Sequence, residues 1–461
     1  MLVKPACWFR TLTTIIAVAL PVTVCLLASA EPLKAADFFS PDEMRTAARY
    51  NNKLYTLFAF KEVTLLGFLA LAAFSRLGAA YRRDVGKMFR GRKKLVLPAY
   101  AFFLVLMIRL AALPFDAVRD LGVKKSFGLI VEGMGAWLAD QAKSFFVADI
   151  WYVPFVVILF ALMRRFRRSW WLLSAVVIGI ATIAWYSLAP HLVAPLFYRI
   201  TPIQSEALHS QLDPLLRQAG LDAGVLYEAD SGRKTREVNA YLSGLFLGRR
   251  IVVYNVLEKE AEPSELRFVV AHEVAHWKKN HIIKGIAFRT AGAAGVLLLI
   301  GALLKLTTRK ARSPDANVSG SESLPAFFFY LNVILFLVMP IECALSRHIE
   351  RAADAYALEL TQDPQGAARL FEKVARKNLS DLNPPPLARF WLHTHPPILE
   401  RIEEALRRKE RFNIGEDSER TTVPAKEKPS EARATNKTTT GDSVEEDENR
   451  SRGEVTHGKN D

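Results

Sequence analysis

The apolar residues of this chain come in long blocks rather than in the short alternations of half-buried surface elements. Crossing about 30 Å of hydrocarbon takes a helix of roughly 20 mainly apolar residues. Six internal stretches reach or approach that length: 56–75, 95–115, 149–163, 170–194, 285–305 and 325–345. The third is short, and its Trp151 and Tyr152 suit an interfacial aromatic belt. A seventh block, 11–30, follows Lys4 and Arg10 and ends in small residues before Glu31-Pro32. That pattern describes a signal peptide, and equally an uncleaved first membrane helix. Between the fourth and fifth blocks the pattern changes. Leu208, Leu212, Leu215 and Leu216 are spaced for a helix, and two strand-like runs, 238–246 and 250–254, flank a glycine-containing turn and predict a β-hairpin. Glu262-Pro263-Ser264-Glu265 then opens a helix whose apolar positions include Leu266, Phe268, Val269 and Val270. No aromatic residue follows Phe412, and the polar tail 408–461 holds too little apolar surface to offset the entropy of ordering, which predicts disorder. The fold class is mainly α: a polytopic α-helical membrane protein with a small β-hairpin or sheet in its second half. The expected domains are 31–196, a membrane half, and 197–407, a second domain interrupted by the membrane helices 285–305 and 325–345.

Composition supports a membrane protein. Hydrophobic residues make up 51% of the chain and charged residues 23%, an apolar load that a soluble protein could bury only in an unusually large core. Lysine and arginine outnumber acids by 61 to 47, for a net charge of +14. The excess sits in runs between the apolar blocks and not on one soluble face, so no nucleic-acid partner is expected. Residues 76–94 carry eight basic residues against Asp84, the link 164–168 reads Arg-Arg-Phe-Arg-Arg, and Arg309, Lys310 and Arg312 follow the fifth block. Cytoplasmic loops concentrate such residues. Strict alternation of the spans then puts 197–284 and everything after 346 on the non-cytoplasmic side. Cys7, Cys25 and Cys343 are too few and too scattered for a disulfide framework. Lys61, Glu62 and Arg109 fall within spans, where pairing or snorkelling accounts for them more economically than a polar cavity.

Within the helix after Glu262 lies His272-Glu273-Val274-Ala275-His276. Positions i and i+4 share a helical face, so both imidazoles can bind one metal while Glu273 faces the water on it. Two histidines and one further protein ligand leave a position open, where a zinc ion lowers the pKa of water towards 7. Immediately after the sixth block, Glu350 and Asp354 are again four apart on a helix rich in alanine. Glu350 fits a third zinc ligand, and Asp354 can accept the free N–H of a ligand histidine. His348 faces away from Glu350 on that helix. His281 points off the metal face and caps or lines the site.

HEVAHWKKNH (272–281), SRHIERAADAYA (346–357), VNAYLSGLF with RRIVVYNVL (238–257), HTHPPILERI (393–402), LPFDAVRD (113–120) and APLFYRITPI (194–203) together resemble the type I CAAX prenyl proteases, integral-membrane zinc metallopeptidases. The resemblance runs from about residue 54 to 407. It implies one Zn2+ held by His272, His276 and Glu350, with Glu273 as general base. Asn239, with Ala240 and Tyr241, would hold the substrate backbone. His395 would stabilise the oxyanion, with Arg401 supporting it and Asp354 orienting a ligand. The implied partners are a peptide or protein substrate, membrane-associated or lipidated, and the bilayer. At 124–128 the chain departs from the family, reading Lys-Lys-Ser-Phe-Gly where relatives carry Glu-Lys-His-Gly-Phe. The alternatives are a broad quality-control protease of membrane proteins, and a non-catalytic scaffold or transporter.

Overall fold

The computed structural model describes residues 35–89, 92–310 and 320–408. The apolar block 11–30 and the polar tail beyond 408 lie outside the described residues. Helices α1 (Pro41–Phe74), α2 (Arg76–Met88), α3 (Lys93–Ala117), α4 (Met134–Arg165) and α5 (Trp170–Leu192) form the first half. The second half runs β1 (Ile200–Pro202), α6 (Glu206–Gln218), β2 (Leu226–Ala229), β3 (Ala240–Ser243), β4 (Arg250–Tyr254), α7 (Asn255–Glu260), α8 (Pro263–Lys278), α9 (His281–Lys310), α10 (Leu324–Thr361), α11 (Pro364–Asn378) and α12 (Pro386–Trp391). A last helix, α13, covers 398–408.

Among the described residues six helices are long and apolar enough to cross a membrane, matching the six internal blocks. Three of them extend well past their blocks. α1 starts at a capping box in which Ser40 Oγ accepts from the Glu43 N–H and Glu43 accepts from the Ser40 N–H. Its early turns dock on the second half: Asn51 Nδ2 donates to the Leu379 carbonyl, and the Tyr55 hydroxyl lies 2.5 Å from Asp381 and 2.8 Å from His393 Nε2. The span expected at 149–163 is the apolar end of the 32-residue α4. α10, 38 residues long, continues unbroken past its apolar block to Thr361 and carries Glu350 and Asp354. The two basic residues inside the spans have partners. Lys61 lies 2.8 Å from Asp116, and Arg109 contacts Ser144 and the ring of Phe145.

The predicted hairpin is present, β3 pairing antiparallel with β4 in the register Ala240↔Val253 to Ser243↔Arg250. It belongs to a larger sheet of order β1-β2-β4-β3, in which β2 and β4 run parallel. Strands β1 and β2, of three and four residues, give too short an alternation to read from sequence. The core of the second half joins Leu212, Leu215 and Leu216 of α6 to Ile251 and Val253 of β4 and to Phe268, Val270, Ala271 and Val274 of α8. That packing fixes α8 between the sheet and α10.

Candidate metal centre

α8 begins with Pro263 at its first turn and a reciprocal Glu262–Glu265 cap, and it buries Phe268, Val270, Ala271, Val274 and Ala275. Its apolar surroundings dehydrate His272 and Glu273, which are both buried. The helix stops at Asn280, whose φ of +52° suits asparagine, a residue that tolerates the left-handed region. The turn brings His281, first residue of α9, back onto α8.

The side chains expected at the metal meet there. His272 Nε2 and His276 Nε2 are 3.1 Å apart. Glu350 Oε2 lies 3.2 Å from His272 Nε2, and Glu350 Oε1 3.6 Å from His276 Nε2. The outer ring nitrogens are engaged elsewhere. His272 Nδ1 donates to Asp354 Oδ1 at 2.9 Å, and His276 Nδ1 stands 3.0 Å from His281 Nδ1. With a proton on each outer nitrogen, the inner nitrogens are free to bind a metal ion beside Glu350. Glu350 Oε2 is buried and receives no hydrogen bond. Two imidazole nitrogens and a carboxylate that converge this closely form a site for a proton or a metal ion, and these three residues constitute the one potential metal cluster among the described residues. The residues present therefore fit a metal ion.

The electrostatics agree. Burial works against a charged His272, but Asp354 and Glu350 outweigh it and raise its pKa to about 10. Burial and the neighbouring His272 charge lower His276 to about 3. At neutral pH the apo site thus holds one proton, on His272, and a bound cation displaces it. Metal binding at pH 7 is expected to release about one proton, not two, with apparent affinity falling about tenfold per pH unit on acidification. Titration calorimetry in buffers of different ionisation enthalpy checks this, and a release near zero or two contradicts the assignment.

The remaining predicted residues surround this cluster. Glu273 Oε2 accepts the backbone N–H of Leu242 at 2.7 Å, and burial raises the Glu273 pKa against the opposing charge of His272. β3 is an edge strand of the sheet. Because Tyr254 N–H donates to the Asn239 carbonyl, the alternation leaves the backbone groups of Ala240 and Leu242 pointing away from β4. Tyr241 packs edge-on against Tyr254. Asn239 and Ala240 line a cavity of about 420 Å³ with His272, Glu273, His395 and Arg401. A second cavity of about 550 Å³, bordered by Glu132, Asp140 and Lys234, adjoins it at Val238, Asn239 and Asn378. His395 Nε2 lies 3.3 Å from Glu350 Oε2, with its side chain 59% exposed. Arg401 is turned to Asp354, donating from Nε at 2.8 Å and from Nη2 at 2.7 Å. His348 is exposed, away from the cluster. Two contacts escaped the sequence reading. The Leu242 N–H carries no signal because every residue has one, whereas the spacing of His281 from His276 was visible but its partner was not.

Two family models divide the chain between them. A CAAX prenyl protease N-terminal model, described as five membrane helices, matches residues 23–199, and a peptidase family M48 model matches residues 202–409. The chain belongs to the CAAX prenyl protease family of M48 peptidases. An uncharacterized metalloprotease of Bacillus subtilis is 28% identical over 376 residues, covering 80% of this chain and 87% of that protein. CAAX prenyl protease 1 of Saccharomyces cerevisiae is 25% identical over 312 residues, covering 64% of this chain and 68% of that one. The fold is similar to the crystal structure of Ste24p from S. mikatae, with a TM-score of 0.70 at 20% identity, covering 86% of this chain and 96% of that chain. Like other members of the CAAX prenyl protease family, the chain is a multi-pass membrane metalloprotease, as the motifs implied. The membrane match begins at residue 23, inside the block 11–30, and gives no support to a signal peptide there.

Proposed function

We propose that this chain is a zinc metalloendopeptidase that cuts peptide bonds in membrane-associated, lipidated proteins. The observation that carries the reading is the convergence of His272, His276 and Glu350 beside Glu273 and an unpaired strand edge. In a tetrahedral zinc site, bonds of about 2.0–2.1 Å place ligand atoms about 3.3–3.4 Å apart. The observed separations of 3.1, 3.2 and 3.6 Å, the last two to different oxygens of Glu350, bracket that value. When bound, the single ion supplies Lewis acidity, acidifying a water and polarising the scissile carbonyl.

The chain's own groups do the rest. An extended peptide adds to the free edge of β3 through Ala240 and its neighbours, with Asn239 and Tyr241 flanking it. Glu273, held by the Leu242 N–H through one oxygen, uses the other to take a proton from the attacking water and then passes it to the leaving amine. His395 is positioned to donate to the charge developing on the carbonyl oxygen. Arg401 acts through Asp354, and Asp354 through His272. His281 does for His276 what Asp354 does for His272, holding the outer nitrogen and with it the tautomer. The working division is a membrane half, 31–196, and a metallopeptidase half, 197–407.

A lipidated substrate is inferred from the relatives named as prenyl proteases. Purified protein loaded with zinc is expected to cleave a farnesylated CAAX peptide at least tenfold faster than its unmodified counterpart. Equal rates on an unmodified membrane peptide favour the broad quality-control reading, and cleavage of neither overturns the proposal. The loop charges put the metal centre on the non-cytoplasmic face. A reporter fused after residue 407 is expected to be non-cytoplasmic, and a cytoplasmic signal refutes the charge argument.

A further inference from the structure

The turn joining β3 to β4 is apolar at its tip and tightly built. Gly244 and Gly248 have φ of +89° and +101°, and a Cβ on Gly244 would stand 2.1 Å from the Gly248 carbonyl oxygen. This closed turn buries Leu245 and drives Phe246 and Leu247 outward, 71% and 57% exposed. Exposed apolar side chains that join a larger contiguous apolar surface mark a protein or membrane contact.

The surroundings say what that occupant is. The Leu247 carbonyl accepts from His191 Nε2 at 3.0 Å, and Arg250 Nη2 donates to His191 Nδ1 at 3.0 Å. His191 stands in the last turn of α5, a candidate membrane span. That helix exposes an apolar stripe through Leu172, Val176, Ile180, Leu188 and Leu192, which ends beside the tip. On the other side, the Arg249 guanidinium lies 5.3 Å from the Trp277 ring centre, just ahead of α9, a second candidate span. The tip therefore sits level with the ends of two spans and continues their lipid-facing surface. Arg249 and Arg250 flank it and tie it to Trp277 and His191.

We propose that the β3–β4 tip inserts Phe246 and Leu247 into the lipid surface and so pins the edge strand to the bilayer. Ser243, the last residue of β3, directly precedes Gly244, so the anchor sets the height of the strand above the membrane. The inference stands apart from the assignment of substrate, because insertion needs no catalysis.

Nitroxide labels on F246C and L247C test it, in full-length chain with Cys7, Cys25 and Cys343 replaced, reconstituted in phosphatidylcholine–phosphatidylglycerol liposomes. L192C supplies a lipid-facing reference and K259C a water-facing one. Labels at 246 and 247 are expected to collide with oxygen in preference to a water-soluble nickel chelate, as at 192. A preference for the chelate, as at 259, overturns the proposal. Spin–spin broadening at 246 that disappears on dilution with unlabelled chain also overturns it, since a second copy would then cover the tip.

Discussion

Replacing Glu273 by glutamine is expected to stop cleavage while leaving the metal bound. Glutamine keeps the shape of the side chain, and its carbonyl oxygen can still accept the Leu242 N–H that glutamate accepts at 2.7 Å. Neither His272, His276 nor Glu350 changes, so metal content per chain should match the parent. What is lost is a carboxylate able to take a proton from water and return it to the amine. General acid–base catalysis contributes roughly 10²–10⁴-fold. Because one group serves both transfers, a fall in kcat of about 10⁴ is expected. Elemental analysis beside a cleavage assay checks both halves of the statement. An active glutamine variant would remove Glu273 from its role, whereas an inactive one without metal would make it structural.

The second large effect is expected at Asp354. This carboxylate accepts from His272 Nδ1 and from two nitrogens of Arg401, and the side chains are only 9% and 13% exposed for Asp354 and Arg401. Asp354→Ala leaves a buried guanidinium without its ion-pair partner, and removing one partner of a buried pair costs about 3–5 kcal/mol. It also frees the His272 ring to turn, and losing an outer partner of a metal ligand typically weakens metal binding about 10–100-fold. The two consequences separate in the double variant Asp354→Ala/Arg401→Met. Methionine removes the stranded charge and keeps apolar contact with Phe371, whose ring centre lies 4.2 Å from the guanidinium. Stability should largely return, while metal affinity stays low. Recovery of both would mean that His272 does not depend on Asp354 for its orientation.

Legibility in the sequence followed the range of the forces involved. The six spans were readable because about 20 consecutive apolar residues is a local signal. The histidine pair was readable because i and i+4 positions face one way on any helix. Glu350, 74 positions beyond His276, was reachable only through its own pairing with Asp354 and the likeness to a family. Helix lengths were less visible. α1 and α4 begin in mixed sequence where docking on the second half, as by Asn51 and Tyr55, replaces lipid as the source of order. The family likeness implies that Arg401 supports the developing oxyanion, and its fork also meets Asp354, a contact between residues 47 positions apart that no local pattern encodes. The Leu242 N–H came into view only once the sheet order made β3 an edge.

α10 spans, without a break in its backbone, from the apolar block to the glutamate at the metal cluster. At 1.5 Å per residue its 38 residues form a rod about 57 Å long, with Pro340 the only proline past its first turn. Its apolar block, 325–345, is long enough to cross the hydrocarbon, and residues 346–361 extend beyond it. Beyond Glu350, Ala357 and Leu358 share one buried core with Phe268, Val270 and Val274 of α8, so the carboxylate and the imidazoles are seated together. A single helix thus carries the third ligand out of the bilayer and into the core that seats the other two.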